Sequence, residues 1–237
     1  MNELYSVKGK VAVISGAAGA LGGSLARHFA SQGADVVALV HREEQLAPVV
    51  EQLRALGGNP CAYACNVMDT AALKTIADEV VGKYSKVDIL INVAGGNVAG
   101  ANVMPDQNFW DMKLEDWTKV LDLNLNGTVY PCHVFTELFA SQGYGCILNI
   151  SSMAAYDALT RVAGYGAAKE GVSNFTRWLA VPGGVGRSAR LVWKCRRFRR
   201  DCRESRRRPV CPDAHASRAA GMPAFAAVRP LPLGVWL

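Results

Sequence analysis

The chain has 237 residues, of which 50% are hydrophobic and 19% are charged, and its formal net charge is +6. This length and composition allow one domain with a substantial core. The sequence shows neither a basic leader before a cleavable apolar stretch nor an apolar run of membrane-spanning length, so we expect a cytoplasmic protein without a membrane partner. Seven cysteines without a CxxC pair and four scattered histidines predict neither a disulfide framework nor a metal site.

The first predicted unit is a strand, a glycine-rich turn, a helix and a second strand. Residues 11–14 (VAVI) and 36–40 (VVALV) are typical of buried strands, and the apolar residues between them recur at helical spacing. Glycines at such a turn let the backbone approach a pyrophosphate closely, and the following helix presents its unpaired N–H groups to it. This βαβ unit therefore predicts dinucleotide binding.

Strand and helix signals continue to alternate through residue 180. In chain order they predict a polar helix over 43–56, a strand over 61–65, a helix over 70–84, a strand within 87–96, a long helix over 114–139, a strand over 146–151 and a helix that carries Tyr165 and Lys169. The long helix is expected to bend near Gly127 and Pro131. Alternation of this kind predicts an α/β fold, a single Rossmann-like doubly wound parallel sheet that binds ligands beyond the carboxyl ends of its strands.

Three side chains near the last predicted strand suggest a proton-transfer site. Tyr165 and Lys169 are four residues apart, and Ser152 lies thirteen residues before the tyrosine. Positions four apart share one face of a helix, so the ammonium would lie beside the phenol and favour the phenolate. The Ser152 hydroxyl would hydrogen-bond the same substrate oxygen. A Tyr–Lys pair alone also suits an ordinary surface helix, but the serine and the βαβ unit favour the catalytic interpretation.

Over about residues 8–180 the chain resembles the short-chain dehydrogenase/reductase family. The resemblance rests on SGAAGALG at 15–22, NVAG at 92–95, LNLNGT, NISS and YGAAK at 165–169. It implies that Tyr165 is the general acid/base, that Lys169 binds the nicotinamide ribose and activates the tyrosine, that Ser152 orients the substrate oxygen, and that Asn124 holds a water of the proton relay. The cofactor-binding residues that it implies are Ser15, Gly16, Gly19, Leu21, Gly22, His41, Arg42, Asn66, Val67, Asn92, Ala94, Gly95, Tyr165 and Lys169.

Two positions depart from the family pattern. The usual middle glycine of the cofactor motif falls at Ala20, with Gly19 beside it, and Asn66 stands where the family often has an aspartate for the adenine contact. An amide can still make that contact.

The end of the second strand bears on the choice of cofactor. NAD enzymes place an acidic residue there, whereas this chain has Val40, His41 and Arg42, with no carboxylate until Glu43. Arg42 could pair with a 2′-phosphate, so we expect NADP in preference to NAD. A solvated Arg42 and NAD remain the alternative.

The segments VAGGN, NISSMAA and SNFTRWLAV are most similar to the branch of the family that acts on sugar acids, the mannonate and fructuronate oxidoreductases. The expected reaction therefore interconverts a hydroxyl and a carbonyl on a sugar or sugar acid. The resemblance also implies a homodimer or homotetramer, with the helices around 115–140 and 165–180 at an interface.

Residues 181–237 differ in composition from the rest of the chain. Residues 1–180 carry 13 basic and 17 acidic side chains, whereas residues 181–237 carry 13 basic side chains, twelve of them arginine, and three acidic ones. The buried strand and substrate-covering segment of the family are not recognisable there. We interpret 1–180 as the dinucleotide-binding and catalytic domain. We interpret 181–237 as an arginine-rich tail that is either out of frame from about codons 181–183 or disordered.

Other interpretations of the tail and of the whole chain stay open. An arginine-rich nucleic-acid arm is one, although no nucleic-acid-binding fold signature accompanies it and we do not expect nucleic acid as a partner. A divergent but structured ending is another. Without a segment that closes the pocket, the chain could also be a catalytically silent Rossmann-like protein, either a binding protein or a vestigial one.

Overall fold

A parallel β-sheet forms the centre of the described part of the chain. The computed structural model describes residues 6–181 and the backbone of residues 190–191. The strands are β1 (Val11–Ser15), β2 (Asp35–Val40), β3 (Cys61–Ala64), β4 (Ile89–Asn92), β5 (Tyr144–Asn149) and β6 (Arg190–Leu191). Their order is β3-β2-β1-β4-β5-β6, and every neighbouring pair is parallel. The first five strands have the 3-2-1-4-5 order of a Rossmann-like sheet, which confirms the predicted α/β fold.

Helices connect the strands. They are α1 (Ala20–Ser31), α2 (Leu46–Arg54), α3 (Thr70–Tyr84), α4 (Leu114–Leu121), α5 (Gly127–Gln142) and α6 (Ala163–Leu179). A 3₁₀ turn over Glu43–Gln45 precedes α2, so the helix predicted over 43–56 is shorter and less regular than expected. Asp69 starts α3 at its predicted place, because its carboxylate accepts hydrogen bonds from the N–H groups of Ala71 and Ala72.

The long helix predicted over 114–139 is two helices. A π-helical turn over Asp122–Asn126 separates α4 from α5. The interruption therefore precedes the expected bend at Gly127 and Pro131. Extra-residue turns of this kind are frequent at functional sites, and this one carries Asn124.

Each face of the sheet packs on helices. Strand β1 is buried along its whole length, and its side chains alternate between the two faces. One core includes Val11, Val13, Leu39, Leu90, Leu73, Val80, Phe135 and Phe139. The other includes Ile14, Val36, Ala38, Ile91, Ala26, Ala30 and Leu53. Two covered faces explain why the strands are continuous apolar runs.

The amino-terminal edge of the sheet contains a buried carboxylate, Asp88, which is 4% exposed. Its oxygens accept hydrogen bonds from the Val11 N–H at 2.9 Å and form ion pairs with Lys10 and Lys86, each at 3.0 Å. Burial alone would raise the pKa of this carboxyl, but these donors outweigh burial and hold its pKa below the usual value. This edge is opposite the one where the strands end.

No helix within residues 6–181 is long and apolar enough to cross a membrane. Strand β6 adds two residues beside the start of β5, where Arg190 and Leu191 pair with Tyr144 and Gly145. The interpretation of the tail concerns residues 181–237, of which only Val181 and the backbone of Arg190 and Leu191 lie within the described part of the chain.

Candidate active site

The glycine-rich turn after β1 forms a tight cradle. Gly16 has φ +66°, a conformation that favours glycine, and a Cβ there would lie 2.9 Å from the Ala94 backbone nitrogen. A Cβ on Gly22 would overlap the Gly16 carbonyl. Gly19 is the N-cap of α1, no side chain caps that helix, and its first turn has no acidic residue. The helix N–H groups are therefore available to an anion such as a pyrophosphate.

A cleft of about 430 Å³ lies beside this cradle, at the carboxyl ends of the strands. Nine of the predicted cofactor-binding residues line it: Gly16, Gly19, Leu21, Gly22, His41, Asn66, Val67, Ala94 and Gly95. A cleft of this size with an apolar lining and a helix amino terminus suits a dinucleotide. The residues present fit the cofactor that the motifs imply.

Three other predicted cofactor residues are directed elsewhere. Ser15 is buried below the turn, where its hydroxyl accepts hydrogen bonds from the N–H groups of Val93 and Ala94 at 3.1 and 3.2 Å. The Asn92 side chain, 2% exposed, donates to Asn149 Oδ1 at 2.8 Å. Both therefore hold strands together beneath the cleft.

The third of them, Arg42, is on the surface. Its Nε is 3.1 Å from Glu44 Oε1, and both side chains are mostly exposed. Arg42 does not line the cleft, although its neighbours His41 and Gln45 do.

The candidate catalytic pair is brought together on α6. Lys169 Nζ lies 5.7 Å from the centroid of the Tyr165 ring and donates a hydrogen bond to the Ile150 carbonyl at 2.9 Å. The lysine is 4% exposed, and this burial lowers its pKa to about 8. Within the described residues the Tyr165 hydroxyl has no hydrogen-bond partner, so it is available to a substrate.

Asn124 is fully buried in the π-helical turn. Its side-chain Nδ2 donates to the carbonyls of Gly96 at 2.6 Å and Val120 at 2.9 Å, and its Oδ1 accepts from the Gly96 N–H at 3.1 Å. Both Nδ2 protons are thus used by backbone carbonyls. Asn124 can therefore hold a relay water only through an acceptor oxygen, either Oδ1 or its backbone carbonyl, which also accepts the Thr128 hydroxyl at 3.0 Å.

Gly95 joins the cleft to the catalytic residues. A Cβ at this position would lie 2.7 Å from Asn124 Oδ1 and 3.5 Å from Lys169 Nζ. Gly95 also lines the cleft. The ammonium and the amide therefore meet at the wall of the predicted cofactor site.

The hydroxyl groups of Ser152 and its neighbour Ser151 have different hydrogen-bond partners. Ser152 is extended, with φ −152° and ψ 160°, and its hydroxyl oxygen accepts the Ala154 N–H at 3.2 Å, which leaves its proton available. Ser151 instead bonds the Lys169 carbonyl at 3.0 Å. Adjacent side chains of an extended segment point to opposite sides, so only one serine can face the pocket.

Several cleft residues were not predicted: Ala18, Ala20, Leu39, Val40, Gln45, Cys65, Val93 and Leu123. Most flank predicted positions and would have followed from widening each motif by one residue. Leu123 belongs to the π-helical turn, and no local sequence pattern indicates that this turn approaches the cleft. Among the described residues, no three His, Cys, Asp or Glu side chains cluster as a metal site requires.

The short chain dehydrogenase family profile matches residues 10–184. The uncharacterized oxidoreductase UxuB of Bacillus subtilis is 35% identical over 184 residues, which are 74% of this chain and 66% of that protein. The D-threitol dehydrogenase of Mycolicibacterium smegmatis is 33% identical, over 79% of this chain and 69% of that enzyme. The chain thus spans about two thirds of the length of these relatives, and slightly less in UxuB.

Solved structures show the same fold. A provisional D-mannonate oxidoreductase from Haemophilus influenzae with bound NAD is 33% identical, with a TM-score of 0.70 over 77% of this chain and 69% of that chain. An NAD⁺-bound xylitol dehydrogenase is 28% identical, with a TM-score of 0.69 over 74% and 65%. Both hold NAD, so they do not support the expected preference for NADP.

Proposed function

The chain belongs to the short-chain dehydrogenase family, and on that premise we propose that it is an NAD(P)-dependent oxidoreductase that interconverts a hydroxyl and a carbonyl on a sugar, polyol or sugar acid. The observation that carries the proposal is the meeting of Lys169 and Asn124 at Gly95, on the wall of the glycine-lined cleft. Relatives named for threitol, xylitol and mannonate support a polyhydroxylated substrate.

The proposed chemistry divides among four side chains. In the direction of reduction, the Tyr165 hydroxyl gives its proton to the substrate oxygen, and the Ser152 hydroxyl donates a hydrogen bond to the same oxygen. The Lys169 ammonium favours the phenolate that remains, and Asn124 fixes the Gly96 backbone beside it. The nicotinamide cofactor, when bound, supplies or accepts the hydride. The cleft lined by Gly16, Gly19 and Gly22 would hold its phosphates.

Two measurements test this function and separate it from a silent binding protein. Fluorescence titration with NADH and NADPH reports cofactor binding, and turnover of polyols, sugars and aldonates reports catalysis. Tyr165→Phe should abolish turnover with nearly unchanged cofactor affinity, because only the proton donor is removed. Cofactor binding without turnover in the unmodified chain would indicate the silent alternative. Retention of more than a few per cent of turnover by Tyr165→Phe would exclude its catalytic role.

The proposed role of Arg42 is to admit NADP. Its ion pair with Glu44 is exposed and can break, which would free the guanidinium for a 2′-phosphate. Arg42→Ala should then weaken NADPH binding and leave NADH binding unchanged, whereas Glu44→Gln should strengthen NADPH binding. Equal NADPH affinity in all three proteins would show that the Arg42 side chain does not contact the cofactor.

Self-association is proposed through the surface between α5 and α6. A groove there is lined by Leu125, Asn126, Val129, Glu170, Gly171, Asn174, Phe175 and Trp178. Trp178 is 57% exposed and its ring lies 6.1 Å from that of Phe175. Exposed aromatic groups of this kind favour burial against a second surface. Light scattering after size exclusion should report a dimer or tetramer, and Trp178→Glu should shift it toward the monomer.

The division of the chain at residue 181 and a cytoplasmic location are proposals as well. The family match ends at residue 184, close to the change in composition, which supports an out-of-frame tail. Reading the coding DNA in its other frames tests this directly. One frame should encode the buried strand that the family resemblance implies, which is of Val, Asn, Ala and Ile type and is followed by Pro-Gly. Absence of such a segment would leave the tail as a divergent ending.

The proposed cytoplasmic location is supported by Cys61, Cys65 and Cys132. They are free thiols, as is usual in reducing compartments.

A further inference from the structure

The carboxyl end of β5 contacts α6 through polar groups at three successive residues. Asn149 Nδ2 donates to Thr176 Oγ1 at 3.0 Å, the Ile150 carbonyl accepts from Lys169 Nζ at 2.9 Å, and Ser151 Oγ is 3.0 Å from the Lys169 carbonyl oxygen. We call this contact the β5–α6 polar seam. An apolar helix surface could slide along a strand at little cost, whereas these directional bonds fix one register.

Lys169 is held by this seam at both ends. Its ammonium binds the Ile150 carbonyl, and its own backbone carbonyl binds the hydroxyl of the next residue, Ser151. Movement of α6 along the strand would therefore break both bonds together. The position of the ammonium above the Tyr165 ring depends on the same two bonds.

A second serine completes the contact. Ser173 Oγ lies 2.7 Å from Ser151 Oγ and 3.0 Å from the Lys169 carbonyl oxygen. The two hydroxyls carry one proton each. The 2.7 Å contact is satisfied when one serine donates to the other and the second donates to the Lys169 carbonyl. Either direction ends on Lys169, so the pair acts as one unit.

We propose that Ser151 and Ser173 are positioning residues, which hold Lys169 in register on the end of β5 and thereby place its ammonium beside Tyr165 and Gly95. The role rests on the proposed function, because it matters for turnover only if Lys169 assists the tyrosine. The two hydroxyls are bonded to each other and to the Lys169 carbonyl, so they act through Lys169 and not on the reacting atoms. Tyr165 is the titratable group that contacts the ammonium within residues 6–181.

The test compares Ser151→Ala and Ser173→Ala with Thr176→Val. Thr176→Val removes the third bond of the same seam without touching Lys169, and so it reports what a purely structural loss does. Ser151→Thr and Ser173→Thr keep the hydroxyl and serve as the conservative variants. Thermal unfolding is measured for all five variants. The acetylation rate and kinetics of each alanine variant can then be compared with those of Thr176→Val at a similar loss of stability.

The first readout is independent of turnover: the rate at which acetic anhydride acetylates Lys169, followed by mass spectrometry of the peptide that contains it. The reaction is run at about pH 10.5, where at least half of the amine is unprotonated whether it is buried or exposed. Both alanine variants should then be acetylated about tenfold faster than the unmodified chain, because the amine becomes accessible. Thr176→Val and the threonine variants should be acetylated at the original rate. Equal rates in the alanine variants and Thr176→Val would overturn the proposal.

The second readout is steady-state kinetics. The alanine variants should lose about tenfold in kcat and show a displaced pH profile, with substrate KM nearly unchanged, and the threonine variants should recover most of that loss. An unchanged pH profile together with faster acetylation would contradict the link from the serines to Tyr165. If the unmodified chain turns over no substrate, the proposed function fails, and the acetylation rates still decide whether the serines position Lys169.

Discussion

The ammonium of Lys169 is buried, and its free energy differs between the folded and unfolded chain. Burial lowers its pKa to about 8 from the ordinary 10.5. Below pH 8 the lysine is protonated in both states, and the folded state carries the whole cost of desolvating the charge. Between pH 8 and 10.5 the unfolded state binds more protons, so the stability of the fold rises with pH across this window.

Lys169→Met should therefore stabilise the fold at pH 7 while it removes the proposed activity. The relief of desolvation outweighs the lost bond to Ile150, and we expect a gain of about 2 kcal/mol in the free energy of unfolding. Urea unfolding at pH 7 and pH 9.5 measures it, and the gain should shrink at the higher pH. Lys119→Met, at an exposed position, is the control and should change stability little at either pH. A destabilised Lys169→Met at pH 7 would contradict the desolvation argument.

At the scale of elements, the helices and strands that a local pattern specifies were predictable. Strands β1 and β2 and the turn at Gly16 follow from apolar runs and glycine spacing, and α3 begins where its capping aspartate stands. The π-helical turn over Asp122–Asn126 was not predictable, because apolar periodicity continues through it. The turn carries a tertiary contact, the bonds from the Asn124 side chain to Gly96, which a local pattern does not indicate.

The same limit applies to the candidate site. The Tyr165, Lys169 and Ser152 positions follow from spacing, and the structure places Lys169 against Tyr165 as expected. The involvement of Ser151, Ser173 and Leu123 could not be predicted, because each depends on how α6 or the π-helical turn approaches the sheet.

The turn before α1 gives a prediction at this scale. Gly22→Ala would force a Cβ into the Gly16 carbonyl, so the cradle must open. We expect NADH affinity to fall at least about tenfold by fluorescence titration, with a lower melting temperature. Gly82→Ala in α3 is the matched control, since a Cβ there meets open space, and it should gain about 0.5 to 1 kcal/mol without any effect on NADH. Unchanged NADH affinity in Gly22→Ala would place the phosphates elsewhere.

At the largest scale, a group that stabilises the fold and the candidate site lie at opposite edges of the sheet. The ion-paired Asp88 lies at the amino-terminal edge, and the cleft lies at the carboxyl edge. A carboxyl with a lowered pKa contributes stability that is present above its ordinary pKa and is lost as pH falls through its folded pKa. We therefore expect acid to destabilise the fold through a group far from the candidate catalytic residues.

Asp88→Asn should destabilise the chain at pH 7 by about 1 to 2 kcal/mol without altering cofactor affinity, because the amide can still accept from Val11 but cannot pair with Lys10 and Lys86. The difference from the unmodified chain should diminish as the pH falls below about 4, because the carboxyl of the unfolded chain is protonated there before the folded one. Denaturant unfolding from pH 7 to pH 3 measures this, with exposed Asp78→Asn as the control. A constant difference across that range would rule out the ion pairs as its source.

The strand order also determines when each strand can pair with its neighbours during synthesis. Strand β1 can pair with β2 once residue 40 has emerged from the ribosome, but its other edge pairs with β4, where Ala12 meets Ile89. At roughly 5 to 20 residues per second, the ribosome needs about 3 to 10 s to make the residues between. Throughout that interval the apolar segment VAVIS presents an open strand edge, which is a template for pairing with other nascent chains. Expression conditions that slow elongation over residues 41–92 should therefore increase aggregation, even though the finished sheet buries this strand completely.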